Sequence, residues 1–81
     1  MKLRYAVVIE KAPNNYSAYV PDLPGCVATG RTSAEAEKQI KLAIREHLEA
    51  LAQSGCPIPP STTVCEYIET QLAAAPSVSQ P

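Results

Sequence analysis

Apolar residues occupy alternate positions over residues 3–10, with Leu3, Tyr5, Val7 and Ile9 on one side and Arg4 and Glu10 on the other. That period of two predicts a half-buried strand. The stretch Lys11-Ala-Pro-Asn-Asn15 is rich in turn formers, and Tyr16–Val20 then alternates again until Pro21. The two segments predict an antiparallel hairpin. Pro21-Asp-Leu-Pro-Gly25 follows as a tight, rigid loop, because each proline holds its own φ near about −65° and Gly25 can take a positive φ. Cys26–Arg31 predicts a short third strand returning beside the second.

From Thr32 onward the period becomes helical. Thr32-Ser-Ala-Glu35 fits a capping box, with Thr32 as N-cap and Glu35 reaching back to its amide. No Pro or Gly interrupts the run to Ser54, and Ala36, Ile40, Ala43, Ile44, Leu48 and Leu51 form one stripe. Glu37 and Lys41 are a favourable i,i+4 pair. Gly55 suits the left-handed position past the helix end, and Pro57 blocks continuation. Pro57-Ile-Pro-Pro60 predicts a stiff extended linker, Thr63–Glu69 a fourth strand, and residues 70–81 a flexible tail. The order β-β-β-α-β predicts an α+β fold, a two-layer sandwich with one long helix on a four-stranded sheet. One face of that sheet is left open to solvent or to a partner.

Composition narrows the classes of function. A chain of 81 residues accommodates one domain and a small core, so self-association as a homodimer or homotetramer is expected. With 7 basic and 8 acidic residues the net charge is −1, which supplies no long-range attraction to phosphate backbones. No apolar run has the length of a membrane span, and the first residues lack the apolar core of a signal peptide, so the expected compartment is the cytoplasm. Cys26, Cys56 and Cys65 are odd in number and widely spaced, which disfavours a disulfide framework and a Cys3His metal site with His47. No cofactor is expected.

The side chains that could carry chemistry are few. His47 falls in the apolar stripe of the helix with no nucleophile placed for it, so it reads as a core histidine bonded to backbone. Glu10 and Asp22 could stand near one end of the sheet, the arrangement a divergent metal-dependent nuclease would need, yet no acidic cluster shows in the spacing. Leu42 lies on the polar side of the helix and is a candidate contact. The Pro21–Cys26 loop, flanked by Tyr19 and Val27, is the remaining feature.

That loop also carries a resemblance. Tyr16-Ser-Ala-Tyr-Val-Pro-Asp-Leu-Pro-Gly-Cys26, Thr29-Gly-Arg-Thr32, Glu35-Ala36, Ala43-Ile44, His47-Leu-Glu-Ala-Leu51, Gly55 and Pro57-Ile-Pro59 together resemble the signature of HicB-like antitoxins. The resemblance takes in residues 3–69, within an expected HicB-like domain of residues 1–69. It implies a partial ribonuclease-H-like fold. It also implies a non-enzymatic protein that neutralises a HicA-type toxin, a small mRNA interferase whose catalytic histidine is masked in the complex. Many members carry a C-terminal DNA-binding domain; the residues after Ile68, 69–81, are too few for one, so direct DNA binding is not expected. The expected toxin contacts are Tyr19, Asp22, Leu23, Pro24, Gly25 and Leu42. The rival reading is an orphan oligomeric regulatory or ligand-binding domain without a toxin.

Overall fold

The structure, a computed structural model, describes residues 2–73. Three strands, β1 (Val8–Lys11), β2 (Tyr16–Tyr19) and β3 (Val27–Gly30), form an antiparallel sheet in the order β1-β2-β3. One helix, α1 (Ser33–Gln53), covers one of its faces. The first strand is shorter than the alternation over residues 3–10 suggested. Val8 pairs with Tyr19, the last residue of β2, and the chain then turns at Pro21. Residues before Val8 are left without a neighbouring strand to bond.

Helix α1 begins and ends where its caps dictate. The Thr32 hydroxyl oxygen accepts the Glu35 N–H at 3.0 Å, satisfying one of the first turn's orphan donors. The return bond from the Glu35 side chain is not made among the described residues, so the capping box is half formed. At the other end Gly55, at φ 71°, donates to Ala52, and Cys56 donates to Leu51 at 2.9 Å. This is the paired bonding of a Schellman motif. The ion pair on the outer surface is Arg45–Glu49 at 3.3 Å rather than Glu37–Lys41; both side chains are solvated, so it adds little.

Ala36 and Ile40 of α1 are buried against Ala18, Val20, Leu23 and Cys26, with Tyr5, Val7, Tyr16, Ala28, Ala43, Ile44 and Leu48 packed around them. Burial pushes the Cys26 thiol pKa up and keeps it protonated, whereas Cys56 and Cys65 are exposed. His47 is only part-buried and makes no hydrogen bond among the described residues, so it is not the satisfied core histidine its place in the stripe suggested.

The fourth strand is not formed within this chain. Residues 63–69 pair with no strand, and Val64 and Ile68 are 76% and 82% exposed. The linker does run back across the molecule: the Tyr5 hydroxyl donates to the Pro59 carbonyl at 2.6 Å. Beyond Thr63, however, the segment leaves the sheet instead of lying along it. Among the described residues the sheet therefore has three strands, without the fourth that a ribonuclease-H-like arrangement needs. From residue 74 the expected tail lies outside the described residues.

Candidate partner-binding surface

The loop between β2 and β3 is two consecutive turns. Leu23 N–H donates to the Val20 carbonyl at 3.1 Å, and Cys26 N–H donates to the Leu23 carbonyl at 3.0 Å. In the second turn Pro24 and Gly25 are the central residues, and Gly25 takes φ 82°, the geometry of a type II turn. A side chain at position 25 would be strained in that conformation. Val20 N–H closes the loop on the Cys26 carbonyl at 3.2 Å. Between the two turns Leu23 points inward and is fully buried. The loop is thus held from inside by its own leucine and exposes Pro21, Pro24 and Gly25.

Asp22 fastens this loop to a segment forty residues away. One carboxylate oxygen, Oδ2, accepts the N–H groups of Thr62 and Thr63, both at 3.0 Å. The other, Oδ1, accepts their hydroxyls at 3.1 and 2.9 Å. The Thr63 N–H is the main cause that holds the Asp22 carboxyl below its ordinary pKa, with the Thr63 hydroxyl and both Thr62 donors adding to it against the opposing effect of burial. A lowered carboxyl pKa means the charged form belongs to the folded state. The clamp is therefore fully present above the ordinary aspartate value of about 4, and is lost only as the pH falls through the lowered value. We expect Asp22→Ala to release residues 62–63 at neutral pH, read as faster amide exchange there with the α1 amides unchanged. Wild type should show the same release only as the pH falls below the ordinary aspartate value of about 4.

The sheet face opposite α1 is open. Val8, Tyr19 and Val27 are aligned across its three strands, and Glu10, Ser17 and Thr29 form the next row. Tyr19 is 40% and Val27 65% exposed. The first row lies at the end of the sheet where the Pro21–Gly25 loop turns, so an apolar ridge and a rigid loop form one continuous surface. Among the described residues no three His, Cys, Asp or Glu side chains converge as a metal site, and no helix is long and apolar enough to cross a membrane.

The family model of the HicB-like antitoxin of bacterial toxin-antitoxin systems matches residues 5–76. The chain belongs to the HicB-like antitoxin family. A chain of the solved HicA3 and HicB3 toxin-antitoxin complex is 35% identical, with a TM-score of 0.63 over 73% of this chain and 70% of that one. A 14.9 kDa protein from the rep-hol intergenic region of Haemophilus phage HP1 is 38% identical over 79% of this chain, and the match spans 48% of the phage protein. A UPF0150 protein of Thermoplasma acidophilum is 41% identical over 70% of this chain and 84% of its own length. The chain thus spans about half the length of the phage relative but most of the archaeal one.

On this HicB-like unit the six residues expected at a partner contact fall in three places. Tyr19, Pro24 and Gly25 share the loop end of the open face. Leu42 is exposed on the outer side of α1, across the sandwich from them. Leu23 is in the core, where it sets the loop's shape, and Asp22 is part-exposed with both oxygens engaged by Thr62 and Thr63. Val8 and Val27 complete the ridge and were not among the residues expected from the sequence. The alternation around buried Cys26 and Ala18 contains that signal, since their neighbours must face the other way.

Proposed function

We propose that this chain is an antitoxin-like domain that neutralises a HicA-type mRNA interferase by covering its RNA site, acting in the cytoplasm and without chemistry of its own. The observation that carries the reading is the relation, at 35% identity and TM-score 0.63, to a chain of a HicA3–HicB3 complex. The Val8–Tyr19–Val27 ridge and the exposed Pro24–Gly25 turn are the contact in this reading, an apolar patch bordered by polar residues on a rigid support. Toxin neutralisation is steric: a small basic nuclease seated on the ridge has its catalytic histidine masked, and acidic groups such as Glu10 meet its cations. The domain is residues 1–69, it assembles as a homodimer or homotetramer, and its surface meets protein rather than DNA.

Co-expression with a HicA-type toxin tests this. The expected result is relief of that protein's toxicity and a co-purifying complex. Replacing Tyr19 with Asp, on an exposed position, should weaken the complex by about 100-fold, as loss of a central aromatic anchor does. Unrelieved toxicity and no complex would sink the reading. The alternative, an orphan domain that binds a ligand, draws on a groove of about 480 Å³ between α1 and the β1 side of the sheet.

A further inference from the structure

The groove between α1 and β1 and the unpaired segment after Thr63 fit one another, though the chain does not bring them together. The groove is apolar along its length, lined by Leu3, Tyr5, Val7, Ile9, Ile40 and Ile44, with Arg4 and Lys41 among its polar borders. It follows β1, an edge strand whose outer backbone groups have no strand partner among the described residues. Residues 64–72 belong to no helix or strand, and Val64, Tyr67, Ile68 and Leu72 are all exposed. At about 3.3 Å per residue such a segment reaches roughly 30 Å, the same span as residues 3–11 along the groove. Val64, Glu66, Ile68 and Leu72 share one face of it by strand alternation, which brings the Glu66 carboxylate toward the Arg4 and Lys41 side chains that line the groove with Glu37.

We propose that two copies of this chain exchange these arms, residues 64–72 of each adding as a strand to the β1 edge of the other and filling the groove beneath its α1. Several observations favour a second copy over the chain's own arm. None of residues 64–72 lines the groove. The four bonds from Thr62 and Thr63 to Asp22 fix the base of the arm at the loop, and beyond them the arm stands away from its own sheet. The radius of gyration is 16.1 Å, against about 12 Å for a compact chain of this length. The lone chain also needs the burial: Leu23 and Ile40 are its only large side chains buried completely among the described residues, an incomplete core for a domain of this size. Exchange between copies is isologous, so one two-fold operation fills both grooves and covers both β1 edges. The four-stranded β-β-β-α-β sheet is then completed between chains. The inference is independent of toxin binding, because the arm and groove lie off the Tyr19 ridge.

Light scattering on the full chain, with two charge-bearing variants, decides the matter. Wild type should be dimeric. Val64→Lys combined with Ile68→Lys, both at exposed positions, should raise the dimer dissociation constant by about 100-fold or more while circular dichroism of the helix stays unchanged. Ile9→Lys, in the groove, should do the same. A mixture of the arm variant and the groove variant retains one intact arm and groove between the two chains, and should form heterodimers where neither variant self-associates. A monomeric wild type would overturn the proposal, as would a dimer that resists both charge changes or a mixture that stays monomeric.

Discussion

Leu23→Ala should cost about 3–5 kcal/mol of folding stability, the range for a fully buried leucine whose cavity cannot collapse. Most of the stability of a small domain lies within a few kcal/mol of that figure, so the variant is expected to be largely unfolded near physiological temperature. The reason is where Leu23 sits. It is a loop residue by sequence and the centre of the core by position, wedged with Val20 and Cys26 under Ala36 and Ile40. Both turns of the loop bond to its backbone, its N–H donating to Val20 and its carbonyl accepting from Cys26. Removing its side chain therefore empties the core and frees the loop together. Leu42→Ala, on the solvent side of α1, should stay within about 0.5 kcal/mol of wild type. Thermal melts of the two variants side by side check the contrast; a stable Leu23→Ala would refute the account of the loop.

Gly30→Ala is the second large effect expected, at about 2–3 kcal/mol. A Cβ on Gly30 would stand 2.8 Å from the Glu35 carbonyl carbon and closer still to the Ala36 amide nitrogen. Both are backbone atoms in the first turn of α1, so no side chain can swing aside to make room. The last residue of β3 and the start of α1 touch main chain to main chain, and Gly30 is the residue that allows it. The expected signature is a lowered melting temperature with loss of helix packing, while Thr29→Ala next to it, whose side chain is exposed, leaves stability nearly unchanged.

These two residues show what the sequence made legible and what it did not. The helix was legible because its signals are local: Thr32 at one end, Gly55 at the other, and no breaker between. Its buried stripe, Ala36 to Leu48, follows from period alone. Strand identity was also legible, but strand length was not, since β1 stops where Pro21 removes its partner rather than where its own alternation fades. Gly30 read only as part of the third strand, Cys26–Arg31, because a close backbone approach depends on which element arrives opposite. Leu23 was placed at the surface because loops usually run there, and nothing local says that one side chain turns inward. The Asp22 clamp joins residues forty positions apart and leaves no trace in spacing. Residues 63–69 have the composition of a strand without any indication of which edge receives them, and within one chain none does.

In the proposed reading, the loop end of the open sheet face is the protein-binding surface of this HicB-like domain. Amide hydrogen exchange on the complex with a HicA-type toxin tests it most directly. The account predicts slowed exchange at Ser17–Tyr19, Val27–Thr29 and Gly25 on binding, with the amides of the outer α1 face around Leu42 unchanged. Protection centred on Leu42 and its neighbours, with the Tyr19 ridge exchanging as in the free protein, would contradict it.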